Sequence, residues 1–404
     1  MLWSKLLNYL VKSGDLTVFD ADGKAHKFGT PGQKPKSVIR LHDKALHYQL
    51  FFYPEFYLGE AYMNGALVLE EGNINDFIEL LAINASALGP NLLEKISTRF
   101  APITQLLLQY NPVGKAQKNV APHYDISDKL YELFLDKDMH YSCAYFTSAD
   151  SSLEQAQQDK IRHIAAKLRI EPGMKVLDVG SGWGGLAMYL ARVTGADVTG
   201  VSLSSGQIRK ANERVTAAGL QDNVRFLHKD YREMTGVFDR IVSVGMMEHI
   251  GVGFYKQFFA KTKELLKPDG NALIHCIGRF DGPGNTNPWL RKYIFPGGYA
   301  PALSEVTRVV EKSGLLMADI EILRLHYAYT LHEWQERFRA QKEEVLKMYD
   351  ERFFRMWEFY LVSAEIEFSH MGTMVFHLQL IKNINALPLT RDYMLDAERH
   401  LGAA

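Results

Sequence analysis

The chain has 404 residues, 47% of them hydrophobic and 23% charged, with a formal net charge of −1. That is enough apolar material for more than one core, so two domains are expected, and the neutral balance offers no field for a strongly anionic partner. Cys143 and Cys276, the only cysteines, are too few for a disulfide framework or a zinc site, so free thiols, a cytoplasmic location and no metal are expected.

The opening stretch MLWSKLLNYLVKSGD carries an apolar run broken by Lys5, Asn8 and Lys12, which predicts an amphipathic first helix rather than a leader. No window reaches the roughly 20 apolar residues that a spanning helix needs, so any membrane contact is expected to be peripheral. LTVFDADGKAHKFG alternates like a hairpin around Asp22 and Gly23, ALHYQLFFYP reads as a strand, and NINDFIELLAINASAL has helical spacing. Together they predict a small α+β domain over 1–104. A polar stretch with Pro112 and Gly114 predicts a linker over 105–118, and a second domain is expected over 119–404.

In that second domain, helix-length segments separate KVLDVG, DVTGVSL, VRFLHKD, FDRIVSVG and ALIHCIG. Strands so spaced predict an α/β fold built on a doubly wound parallel sheet, which binds ligands at the carboxyl ends of its strands. Near the end, the run from Trp334 to Ser369 reads as long and helical, and TMVFHLQLI is expected to return as an edge strand. Lys24, Lys27, Lys34, Lys36, Arg40 and Lys44 gather positive charge that would suit lipid headgroups, or form a solvated face. No recognised nucleic-acid module accompanies them, so no nucleic-acid partner is expected.

VLDVGSGWGG puts Gly180, Gly182, Gly184 and Gly185 directly after a strand, where the backbone can turn sharply and approach a ligand in front of a helix N-terminus. An ordinary tight turn is the plain alternative. The spacing departs from the dinucleotide fingerprint, and the next strand ends VTGVSLS without the acidic residue that an NAD ribose needs. Asp178, just before the turn, suits a cationic ligand such as the sulfonium of S-adenosylmethionine.

The stretch VLDVGSGWGG resembles the cofactor loop of class I S-adenosylmethionine-dependent methyltransferases, whose fold is Rossmann-like. With NVAPHYDISDKLYELFLDKDMHYSCAYF, VTGVSLSSGQ, KDYRE, FDRIVSVGMMEHIG, HCIG, NPWLRKYIFPGG and HYAYTLHEW, it resembles the cyclopropane fatty acid synthase family in that family's order. The first hundred residues resemble that family's lipid-associated amino-terminal domain more loosely. The resemblance implies a cofactor site of Tyr141, Ser142, Asp178, Gly180, Ser181, Gly182, Gly184, Ser202, Leu203, Gln207, Asp230 and Tyr231. Hydroxyls and Gln207 would meet ribose and methionine groups, and Asp230 the adenine amino group.

The reaction it implies adds a methylene bridge across the cis double bond of an unsaturated phospholipid acyl chain. The base implied is bicarbonate, held by Cys143, Glu248, His275 and Tyr327 with a backbone contact from Ile277. Because the alkene is itself a nucleophile, Cys143 is expected to shape an anion pocket rather than attack. Taken singly, Cys143 reads as a core residue, His275 equally as a satisfied core histidine, Glu248 as part of a helix start and Tyr327 as an interface cap. Trp289, Tyr293, Phe295 and Tyr299 are expected to line the path of a cationic chain. The resemblance further implies a homodimer bound peripherally to the inner membrane surface. A family enzyme giving methyl- or methylene-branched or furan-precursor chains, and a lipid-binding protein with a lapsed site, are the alternatives.

Overall fold

The computed structural model describes residues 2–88 and 126–402. The expected linker, 105–118, lies outside the described residues. Two compact units divide the chain. The first takes the amino-terminal residues with Asn285–Pro296 and Leu331–Gly372, and the second takes the remainder.

In the first unit, β1 (Asp15–Phe19) and β2 (Ala25–Gly29) form the expected antiparallel hairpin. Its turn is held by Asp20, whose Oδ1 accepts from the N–H groups of Asp22 and Lys24 at 3.1 and 2.9 Å. β3 (Lys36–Leu41) runs parallel to β1, and β4 (Leu67–Glu71) closes the order β2-β1-β3-β4. The stretch expected as a strand from Ala45 is instead the helix Leu46–Phe52. Leu46 and Leu50, four residues apart, are its buried pair, and that spacing aligns on one helical face rather than on alternate faces of a strand.

Helices expected in the 119–404 segment cluster with this first unit. The reason is apolar: Trp289 of helix Pro288–Tyr293 packs edge-on to Phe359 at 4.9 Å, and a Cβ on Gly59 would stand 2.6 Å from its indole nitrogen. The long helical run from Trp334 breaks into the last part of His326–Ala340, then Lys342–Met348 and Glu351–His370. Tyr349 is extended, and Asp350 restarts the helix by accepting from the Phe353 N–H at 2.8 Å. In the basic cluster, Lys36, Arg40 and Lys44 already pair with Glu71, Glu70 and Asp22.

The second unit carries a seven-stranded sheet: β5 (Lys175–Val179), β6 (Asp197–Ser202), β7 (Val224–His228), β8 (Phe238–Val244), β9 (Leu266–Arg279), β10 (Leu316–Leu323) and β11 (Thr373–Ile381). The order is β10-β11-β9-β8-β5-β6-β7. β11 is therefore an interior strand, antiparallel to both neighbours, not the expected edge. All nine of its residues are buried, which suits a strand covered on both faces and paired on both sides. One face packs Leu177, Ile241, Ile274 and Phe376, the other Val176, Val242 and Leu273. The strand order reverses at β5, between β6 and β8, and a crevice opens at that point.

Candidate active site

A cleft open to solvent lies at the carboxyl ends of β5, β6 and β8. Tyr141, Ser142, Asp178, Gly180, Ser181, Gly182, Ser202, Leu203, Gln207, Asp230 and Tyr231 all line it. Gly184 stands behind the wall: a Cβ there would come 2.5 Å from the Phe226 ring, and its φ of +85° is left-handed. Gly182 has φ +53°, and a Cβ there would meet no protein atom within 4 Å. One glycine is thus required by packing and the other by backbone geometry beside open space.

Ser202 Oγ donates to Gln207 Oε1 at 3.0 Å, and Ser204 caps the helix Ser205–Ala217. The Asp230 carboxylate caps the turn Tyr231–Glu233 and takes the Arg232 guanidinium through both oxygens, at 2.9 and 2.7 Å. The Asp178 Oδ2, Ser181 Oγ, His140 Nε2 and Tyr231 hydroxyl are buried without a partner. A ligand offering an ammonium, hydroxyls and an aromatic amine would satisfy such a set, and S-adenosylmethionine offers all three. Burial pushes the Asp178 carboxyl up to about 7, against the opposing pull of Lys160.

Lys160 and His140 are wall residues that the sequence reading missed. Lys160 Nζ donates to Ser142 Oγ at 2.8 Å, and His140 Nδ1 pairs with Asp136 Oδ2 at 2.8 Å. Burial pulls Lys160 down to about 8, opposed chiefly by Asp136. The available signal was spacing: Lys160, His163 and Lys167 recur at i, i+3 and i+7 of helix Leu153–Leu168, and all three are buried. A stripe of that kind on a helix reads as a solvated face unless its partners are known.

The five residues expected around an anion fall into three groups. Glu248 is buried in a short turn after β8; its Oε1 accepts from the Ile277 N–H at 2.6 Å, and its Oε2 has no partner. Ile277 therefore holds Glu248, so the backbone contact expected from Ile277 to an anion is given to the carboxylate instead. Burial pushes Glu248 up to about 7, against that N–H and the neighbouring Cys276 thiol. His275 Nδ1 faces His377 Nε2 at 2.8 Å, and burial, assisted by Lys160 and Lys167, pulls His275 down to about 3.

Cys143 and Tyr327 are buried on elements joined by two hydrogen bonds, Ala144 N–H to Thr330 Oγ1 at 3.0 Å and Phe146 N–H to His326 Nδ1 at 2.9 Å. Burial pushes the Cys143 thiol well up, so it is protonated at neutral pH and no thiolate nucleophile is present. Lys160 acts electrostatically on Cys143, Asp178 and His275 alike. Of the expected aromatic lining, Trp289, Tyr293 and Phe295 belong to the first unit. Tyr299 belongs to the second, where its N–H donates to the Glu248 carbonyl at 2.9 Å.

The profile of the family described as mycolic acid cyclopropane synthetase matches residues 113–378, and that of a domain of unknown function, DUF7884, matches residues 2–90. The probable fatty acid methyltransferase of Pseudomonas putida is 35% identical over 375 residues, 90% of this chain and 92% of that protein. The cyclopropane-fatty-acyl-phospholipid synthase of Escherichia coli K12 is 44% identical over 239 residues, 59% of this chain and 61% of that enzyme. The crystal structure of mycolic acid cyclopropane synthase CmaA1 complexed with SAH and CTAB matches with a TM-score of 0.63 and 31% identity, over 67% of this chain and 98% of that one.

Proposed function

The chain belongs to the mycolic acid cyclopropane synthetase family of S-adenosylmethionine-dependent methyltransferases, and from that premise we propose that it adds a methylene bridge across the cis double bond of unsaturated acyl chains in phospholipids. The observation that carries this reading is Glu248. Its carboxyl is buried at the end of β8, with one oxygen fixed by Ile277 and the other without a partner, and its pKa is pushed up to about 7.

When bound, S-adenosylmethionine supplies an electrophilic methyl group on a sulfonium. Asp178 would take its ammonium, the backbone from Gly180 to Gly182 would approach it closely, Ser202 and Gln207 would meet its hydroxyls, and Asp230 its adenine amino group. In the reaction, the π pair of the alkene forms a bond to the methyl carbon while the carbon–sulfur bond breaks and sulfur keeps its pair. Ring closure then requires loss of a proton from the transferred methyl, whose C–H pair makes the last bond.

Bicarbonate would supply a base at that point, held by Cys143, Glu248, His275 and Tyr327. The partnerless Glu248 Oε2 fits a ligand that brings a hydrogen of its own, since two anions side by side must share one. Cys143 as a neutral thiol contributes a small, weakly polar wall. A second reading, methyl transfer without ring closure, is supported by the similarity to the probable fatty acid methyltransferase. A phospholipid substrate supports peripheral association at the inner membrane surface, in the cytoplasm, which we propose together with a homodimer. No helix among the described residues is long and apolar enough to cross a membrane. Sedimentation with unsaturated phospholipid vesicles and light scattering test these assignments, and a strict monomer would count against the dimer.

The site is tested by initial rates on unsaturated phospholipid vesicles, with and without added bicarbonate, for wild type, Cys143→Ser and Glu248→Gln. Cys143→Ser should lose less than about tenfold, since serine keeps a polar contact worth about as much. Glu248→Gln should lose more and be partly restored by bicarbonate. A dead Cys143→Ser beside a nearly normal Glu248→Gln would overturn the assignment, because loss of an essential nucleophile costs orders of magnitude.

A further inference from the structure

His275 and His377 lie directly opposite each other on the antiparallel pair β9 and β11, both buried. His377 Nε2 stands 2.8 Å from His275 Nδ1, and His377 Nδ1 stands 3.1 Å from the Nζ of Lys167. On its other side Lys167 donates to Glu321 of β10, whose Oε2 also takes His163 Nε2 at 2.7 Å. His163, Glu321 and His377 are close enough together to suggest a metal site. Lys167 Nζ already bonds to Glu321 and to His377 Nδ1, so a lysine ammonium fills the cation's role.

That ammonium fixes the direction of the chain. An ammonium has three donors and no acceptor, so His377 Nδ1 must accept and carry no proton. Burial keeps His377 neutral, and its single proton is then on Nε2, donated to His275 Nδ1. His275, also neutral, must in turn hold its proton on Nε2. Burial pulls Lys167 down on balance, opposed by Glu321, and the Glu321 carboxyl is itself held at about 2 because its bonds to His163 and Lys167 outweigh burial.

We propose that Lys167 and His377 are positioning residues that fix the proton of His275 on Nε2, making that nitrogen the donor to the anion of the proposed reaction. The assignment of an anion rests on the function proposed above; the proton's position does not. Glu321 and His163 anchor the far end of the relay, so a run of polar residues from β10 through the helix Leu153–Leu168 to β11 ends on the imidazole of His275.

The test uses full-length protein with nitrogen-15-labelled histidine, reading the His275 tautomer from two-bond proton–nitrogen correlations, alongside the half-saturation for bicarbonate. Wild type should show His275 protonated on Nε2. His377→Gln should keep it so, because the amide oxygen can accept from Lys167 and the amide nitrogen can donate to His275. Lys167→Met and His377→Leu should release it to a mixture and raise the bicarbonate half-saturation about tenfold, as expected for one misdirected hydrogen bond, with kcat recovered at high bicarbonate. His377→Gln should stay within about threefold of wild type by the same measure.

His275 protonated on Nδ1 in wild type, or on Nε2 unchanged in both Lys167→Met and His377→Leu, would overturn the proposal even with normal bicarbonate dependence. Tautomers that respond as expected in a protein whose rate ignores bicarbonate altogether would support the relay and sink the anion reading instead.

Discussion

At the cofactor end of the cleft, Asp178 Oδ2, Ser181 Oγ and His140 Nε2 are buried without protein partners, whereas beside β8 and β9 Glu248 Oε1 and His275 Nδ1 already have theirs. Each unpaired buried polar atom costs roughly 1–3 kcal/mol, so the first region is arranged to gain its bonds from a ligand. The second has most of its geometry set beforehand, with the Glu248 Oε2 left without a partner. One region is built for affinity and the other for orientation, which is the division that a bound electrophile and a proton acceptor require.

If that division is right, removing the charge at Asp178 should hurt binding most. Asp178→Asn should weaken S-adenosylmethionine by roughly 100-fold, about 3 kcal/mol, the scale for truncating one partner of a buried charge pair. Calorimetry checks this, and an unchanged affinity would remove Asp178 from the site. The two glycines sharpen the comparison by separating affinity from stability. Gly184→Ala sets a Cβ 2.5 Å from Phe226 at φ +85° and should destabilise the fold by roughly 2 kcal/mol. Gly182→Ala, with φ +53° but no protein atom within 4 Å, should cost only about 1 kcal/mol of stability as backbone strain and lose about fivefold in cofactor affinity, roughly 1 kcal/mol, because its Cβ enters the space open to the ligand. Equal loss of stability in both would contradict the assignment.

A further effect, spread over several pH units, concerns pH. Asp178 and Glu248 have folded pKa values of about 7, against roughly 3.9 and 4.3 in an unfolded chain. Between about pH 4 and 7 the folded state keeps protons that the unfolded state has released, so these groups lower stability as pH rises through that window. Asp178→Asn and Glu248→Gln should each flatten the fall, by up to about 1.4 kcal/mol per pH unit. Denaturation midpoints across that range give the answer, and variants that track wild type would refute the burial of these charges.

The cofactor region was legible in the sequence because a strand, a glycine turn and a helix start are contiguous, so local spacing carries the geometry. The β8–β9 region was legible only through a family's ordered blocks, and its pairings were not. His275 and His377 are 102 residues apart, and the sequence of β11 reads as an edge strand, which hides the partner. Lys160 was missed for a related reason: a charged residue on an amphipathic helix marks the outside unless Ser142, Asp178 and Asp136 are known to surround it. In the first unit, Leu46–Phe52 was read as a strand because its aromatic run favours strands, while the buried pair Leu46 and Leu50 that decides for a helix depends on what packs beneath them.

The central claim is that the transferred methyl group becomes a ring carbon in a phospholipid acyl chain. Its most direct test is mass spectrometry of dioleoyl phosphatidylethanolamine vesicles incubated with the full-length protein and S-adenosylmethionine carrying a trideuterated methyl group. A cyclopropane product should keep two of the three deuterium atoms, having lost one to the base, and should resist ozonolysis at the modified position. A product that keeps all three deuterium atoms, or one that ozone cleaves at the new carbon, would contradict ring closure.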